Sequence, residues 1–160
     1  MADQNRFQDP GASVGSFADE FIVACPRCQH QARVVAAGPQ GDARATCQHC
    51  GFARSAREGP GFGGPVYTGP ADPFFGLPLW LQSRCCGETL WAWNAGHLRF
   101  LAGLVGADLR ERPRQEPVSG DRNRLLASRL PRWILSARNR DEVRRSLARL
   151  SERLQAPGDD

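Results

Sequence analysis

The chain contains no lysine; all 21 of its basic residues are arginine. Arginine forks suit phosphates and base edges. Arginine, alanine, glycine and proline are abundant together here, however, and GC-rich coding produces that combination by itself, which is the preferred reading. Long apolar runs are missing too. The most apolar helical stretch, His97 to Leu109, is short and carries Arg99 and Asp108, so no membrane span is expected. The first residues, Met1-Ala2-Asp3-Gln4-Asn5-Arg6, lack the basic start and apolar stretch of a secretory signal. Cytoplasm is the expected location. There is also no Ser-His-Asp pattern, no phosphate-cradling glycine motif and no cluster of carboxylates at helical spacing. Neither an enzyme nor a small-molecule substrate is expected.

With 160 residues, 41% of them apolar, and with Gly 17 and Pro 12, the chain suits one ordinary domain or two very small ones. Long ordered loops and loose ends should surround a compact core. The charge is uneven. Residues 1–109 carry net −1, residues 110–153 net +7 and the last seven residues −2. The basic character therefore belongs to the C-terminal third.

The strongest motif is a pair of Cys-x-x-Cys turns, Cys25-Pro26-Arg27-Cys28 and Cys47-Gln48-His49-Cys50, separated by 18 residues. That separation lies in the roughly 15–20-residue window of four-cysteine zinc sites. Each turn aims two sulfurs at one point, and two turns complete a tetrahedron. Without a secretory signal, such pairs favour metal over disulfides. Four thiolates leave no open position, so Cys25, Cys28, Cys47 and Cys50 read as ligands of one structural zinc ion, with a rubredoxin-like iron as the minority reading. His30 and His49 then fall at the knuckle tips, available to a partner.

Around these turns the segments 21–24, 31–36, 43–46 and 52–55 read as strands, with Gly38 to Asp42 as a turn. Strand, knuckle, strand, repeated, is the plan of a zinc ribbon of two β-hairpins over residues 20–58, folded largely by its metal. Residues 1–19 read as a disordered tail, 59–78 as a Gly/Pro-rich extended connection that packs along the domain, and 79–110 as hairpin plus helix. In the hairpin, a turn at Cys86-Gly87 pairs Trp80 with Trp93, Gln82 with Trp91 and Leu81 with Ala92. Asn94 is placed to cap a helix with Leu98, Leu101, Leu104, Val105 and Leu109 on one stripe and His97, in a structural role, in its first turn. Residues 111–122 read as loop, 123–155 as Arg-rich helices and 156–160 as a disordered tail. Within 123–155, Leu125, Leu126 and Leu130 belong to a short helix and Pro131 starts another turn with Trp133, Ile134 and Leu135. Asn139 and Glu142 make a capping box for a last helix with Val143, Leu147, Leu150 and Leu154 on one face.

Three readings of Cys85-Cys86 are open: core packing, which is preferred, a vicinal disulfide as a redox pair, or ligands of a second metal together with His97. Trp80, Trp91 and Trp93 are expected to cover the apolar face of the following helix. A platform for unstacked bases, formed by Trp80, Trp91 and Trp93 with Gln82 and Arg84, is the alternative. Arg138, Arg145, Arg149 and Arg153 are the candidates for contact with nucleic acid, or with an acidic protein partner instead.

The segment Phe21 to Cys28 with Cys47-Gln48-His49-Cys50-Gly51-Phe52 resembles the zinc-ribbon superfamily. More closely it resembles small bacterial proteins described as TFIIB-type zinc-ribbon-containing. The strings Asp72-Pro73-Phe74-Phe75-Gly76-Leu77-Pro78-Leu79-Trp80-Leu81 and Ala137-Arg138-Asn139-Arg140 resemble that group as well. The resemblance implies a fold rather than an activity. One departure is Gln29, where ribbons often carry glycine after the knuckle, so a looser first turn is expected. The sequence thus implies an α+β protein, a zinc ribbon extended by a Trp-rich hairpin with amphipathic helices in the C-terminal half. Its expected role is that of a non-enzymatic zinc-binding protein contacting nucleic acid, or of an interaction adaptor.

Overall fold

The structure is a computed structural model that describes residues 6–8, 12–36, 41–57, 69–107, 109–111 and 126–156. In chain order these form β1 (Arg6–Gln8), β2 (Glu20–Ala24), β3 (Gln31–Ala36), β4 (Ala43–Thr46), β5 (Ala53–Ala56), β6 (Leu81–Cys85), β7 (Glu88–Ala92), α1 (Ala95–Gly106), β8 (Leu109–Glu111), α2 (Leu126–Arg129), α3 (Arg132–Leu135) and α4 (Arg140–Gln155). The architecture is mixed α+β, with the cysteine pairs in the strand region.

Strands β2 to β5 form an antiparallel sheet in sequence order. The alternation of apolar and polar residues explains its two faces. Ala32 and Val34 on β3 and Ala43 and Ala45 on β4 are buried, while Arg33, Val35 and Arg44 between them face outward. Strand β2 is buried on both faces. Phe21 and Val23 join the core beneath the sheet, whereas Ile22 belongs to a second core shared by the hairpin and the helices.

The second core lies between the β6–β7 hairpin, α1 and α4. Leu81, Cys85, Leu90 and Ala92 line the inner face of the hairpin, and Leu98, Leu101, Leu104 and Val105 line α1. Val143, Leu147 and Leu150 on α4 close it, as the 3.6-residue period of these apolar positions requires. The hairpin has the expected register, with Leu81 opposite Ala92 and Gln82 opposite Trp91 around Cys86-Gly87. Trp80 and Trp93 do not pair directly, because Ile22 comes between them. Its N–H donates to the Trp93 carbonyl at 2.7 Å, and its carbonyl accepts from the Trp80 N–H at 2.8 Å. Strand β2 thereby sews the two cores together.

Several expectations are corrected. Part of the expected N-terminal tail is folded: Ala12 and Ala18 are buried, Phe17 packs on both cores, and β1 runs parallel to β8. Leu109 and Arg110 belong to that strand, so α1 stops at Gly106, where Ala107 turns to extended backbone, and the stripe ends at Val105. The described end of the extended connection, residues 69–78, is a loop wound on buried Asp72. That carboxylate accepts N–H bonds from Phe74, Phe75 and Leu77, which lays both phenylalanines against the sheet core. Val66, Tyr67 and Thr68, most of the 111–122 loop, and Leu125 lie outside the described residues, as do Gly38 to Gln40 of the turn and the ends 1–5 and 157–160.

Candidate metal centre and its surroundings

The two cysteine turns have the same backbone plan. In the first, the Cys25 N–H donates to the His30 carbonyl at 2.8 Å, and the Gln29 N–H to the Cys25 carbonyl at 2.9 Å. In the second, the Cys47 N–H donates to the Phe52 carbonyl at 2.9 Å, and the Gly51 N–H to the Cys47 carbonyl at 3.0 Å. Each turn closes on a left-handed residue, Gln29 at φ 64° and Gly51 at φ 72°. The first turn is therefore as tight as the second, contrary to expectation: Gln29 adopts the conformation that glycine takes freely.

These turns bring four sulfurs to one point. Cys25 Sγ lies 3.6 Å from Cys50 Sγ, and Cys28 Sγ lies 3.6 Å from Cys47 Sγ. All four lie within 4.8 Å of one another. A disulfide needs about 2.05 Å, whereas tetrahedral zinc with Zn–S of about 2.3 Å spaces its sulfurs by roughly 3.8 Å. The four cysteines fit a single ion. Cys25 and Cys47 are buried and Cys28 and Cys50 half-buried, and the Arg27 N–H points to Cys25 Sγ at 3.4 Å.

Electrostatics favour a cation at the centre. Burial acts to raise the Cys25 thiol, but N–H groups of Cys28 and Arg27 outweigh it and bring the thiol down from 9.0 to about 7. Burial, together with the neighbouring thiols of Cys50, Cys25 and Cys47, pushes Cys28 up to about 12. Thiolates this close repel one another, and a cation between them removes the repulsion. His30 and His49 do lie beside the knuckles, but they face each other, stacked at 3.6 Å between ring centroids, with His30 Nδ1 at 3.0 Å from the Cys28 carbonyl.

The remaining candidates are scattered. Trp93 is 1% exposed and packs edge-on against Phe21 in the sheet core, so it offers no face to a base. Trp91 is half-buried beside it. The tryptophans do not all cover the helix, because Trp91 and Trp93 belong to the sheet core and Trp80 to the helical one. Arg138, Arg145 and Arg149 are exposed, and Arg149 donates to Ser146 Oγ at 2.9 Å. Arg153 is also exposed, with its guanidinium 4.3 Å from the centre of the Trp80 ring, a cation–π contact.

His97 plays no part in a metal site with Cys85 and Cys86. It is buried at the start of α1, where Asn94 caps the helix by accepting from the His97 N–H. Its Nδ1 accepts the Trp93 N–H at 3.2 Å, and the ring of Phe17 stacks on it at 5.7 Å. Cys85 is buried in the helical core and Cys86 is half-buried at its rim. The group that meets them is Glu142. The expected capping box does not form: a short turn at Ala137–Asn139 runs straight into α4, and Asn139 Nδ2 donates to the Trp133 carbonyl. Glu142 instead accepts the Cys86 N–H at 2.8 Å. Burial, the Cys85 thiol and the Glu142 carboxylate raise the Cys86 thiol to about 11. Nothing local in the sequence links residues 56 positions apart, so this pairing was beyond pattern reasoning.

Among the described residues no helix is long and apolar enough to cross a membrane. Compared with known protein families, curated proteins and solved structures, the chain matches none.

Proposed function

We propose that the protein is a non-enzymatic zinc-binding module of the zinc-ribbon kind, which contacts nucleic acid through its arginine-rich C-terminal helices. The observation that carries the zinc reading is the convergence of four sulfurs at tetrahedral spacing. Such a set fills the coordination shell, which suits a structural ion rather than a reacting one. Contact with nucleic acid is supported by the net +7 of residues 110–153 and by the exposure of Arg138, Arg145 and Arg149. Phosphate neutralisation by such residues releases counterions and is recognised by its salt dependence.

The test is binding of mixed-sequence single- and double-stranded DNA and RNA over a range of salt. Replacing Arg138, Arg145 and Arg149 by glutamine should weaken binding and make the slope of log affinity against log salt shallower by about 2 to 3 units. Absence of binding at low salt overturns the nucleic-acid reading and leaves the arginine face to an acidic protein partner.

A further inference from the structure

The turn between β6 and β7 assembles a second cluster that the four-cysteine centre does not use. Successive strand residues normally point to opposite faces. Here Cys86 (φ 55°) and Gly87 (φ 80°) both adopt left-handed backbone, and the chain reverses so sharply that Cys85 Sγ and Cys86 Sγ lie 3.6 Å apart. A two-residue hairpin turn leaves the N–H of its first central residue unused. That N–H, on Cys86, is taken by Glu142 at 2.8 Å, which sets the first turn of α4 over the hairpin. Both sulfurs and a carboxylate oxygen lie within 4.8 Å of one another.

We infer that Cys85, Cys86 and Glu142 form a second metal site, for a thiophilic divalent cation of the zinc class. The sulfur separation is close to the roughly 3.8 Å edge of a tetrahedral zinc–thiolate site, so neighbouring cysteines need no large rearrangement to share an ion. A carboxylate is an ordinary third zinc ligand. Its charge decides between the two uses of the thiol pair. A reactive redox thiol is set beside a positive neighbour, whereas the neighbour here is a carboxylate, itself a ligand type for a bound cation. Disulfide formation would also have to draw the sulfurs together to about 2.05 Å. On binding the ion, the two thiols lose their protons to solvent and both sulfurs become ligands.

The cluster differs in kind from the four-cysteine centre. Cys85 is buried, Cys86 half-buried and Glu142 exposed, so the ion enters from the solvent side. Three protein ligands leave one coordination position for water or an incoming group. The ion would join α4, which carries Arg145 and Arg149, to the hairpin.

The purified protein, titrated with Zn²⁺ against a chromophoric chelator and weighed by native mass spectrometry, provides the test. Two bound ions are expected at saturation. Cys86→Ser should retain one. Glu142→Gln, which keeps an oxygen for the Cys86 N–H, should weaken the second ion by about tenfold or more. Glu142→Gln carries the test by itself if the cysteine variant does not fold. Saturation at one ion that is retained in both variants, or a second ion unaffected by both substitutions, overturns the proposal. Protein without an ion at the four cysteines but with one ion lost on Cys86→Ser would overturn the zinc-ribbon reading and support this site.

Discussion

The sheet half and the helical half of this molecule fill their interiors with different residues. Beneath β2 to β5 the core is built from Ala18, Ala32, Ala43 and Ala45 around Phe21, Val23, Val34, Leu79 and Trp93. Between the hairpin, α1 and α4 it is built from Leu81, Leu90, Leu98, Leu101, Leu104, Leu147 and Leu150. At about 0.8 kcal/mol per buried methylene, an alanine contributes far less than a leucine. The leucine-rich half is expected to hold itself by burial, whereas the alanine-rich strands, even with Phe21, Leu79 and Trp93 beneath them, are expected to need an ion at their four cysteines. On the proposed zinc reading, metal and leucine are alternative solutions to the same problem in one short chain, and β2 is common to both, with Phe21 and Val23 in one core and Ile22 in the other.

Removing the metal breaks this comparison most directly and has the largest expected effect. Zinc at such sites contributes on the order of 10 kcal/mol of apparent free energy, comparable with the whole stability of a domain. Chelation should unfold β2 to β5 and expose Trp93, seen as a red shift of tryptophan fluorescence, while most of the helical circular dichroism from α1 and α4 persists. Simultaneous loss of both signals would show one cooperative unit, with the Ile22 hydrogen bonds to Trp80 and Trp93 as the coupling.

His97 sharpens the comparison at the seam. Burial lowers it from 6.5 to about 4, because the folded protein excludes the imidazolium. The neutral ring is favoured by folding, so the stabilisation is complete above pH 6.5 and is lost as pH falls from 6.5 towards 4. By then the loss is about 3 kcal/mol. Denaturant midpoints measured across this window should fall less steeply in His97→Phe than in the unaltered protein, since proton competition at the cysteines is common to both. At neutral pH the variant should be weaker by about 1 to 3 kcal/mol, because the Trp93 N–H loses its acceptor. Equal slopes would show that His97 is protonated in the fold.

How much of this was legible depended on the range of the interaction. The cysteine turns, the hairpin register and the Asn94 cap are set by residues within a few positions of one another, and pattern reasoning reached all three. The expected capping box at Asn139 shows where local reasoning stops: its residues were suitable, but the preceding turn at Ala137–Asn139 removed the cap geometry and freed Glu142 for Cys86. The tryptophans show the same limit. Trp93 and Trp91 lie near each other in sequence and look like one surface, yet Trp93 is buried in the sheet core because β2 crosses the end of the hairpin. The fold of residues 12–19 was illegible because its anchors, Phe17 and Ala18, meet residues brought from far along the chain. Asn94 Nδ2, for example, donates to the carbonyls of Phe17 and Glu20 at 2.8 Å.

The smallest expected effect comes from comparing the two knuckles themselves. They share hydrogen bonds and a left-handed closing residue, but one closes with Gln29 and the other with Gly51. A side chain in that region costs about 1–2 kcal/mol, partly offset because glycine leaves the unfolded chain freer. Gln29→Gly should therefore raise the stability of the metal-bound protein by about 0.5 kcal/mol. Gly51→Ala should lower it by a similar amount, since a Cβ there meets nothing within 4 Å and the penalty is backbone strain alone. Denaturant midpoints of the two variants give both values in one experiment. Opposite signs would establish that the knuckles are equivalent in backbone and differ only in the residue that closes them. A loss on Gln29→Gly would instead mean that the glutamine side chain stabilises its turn by more than the strain it causes.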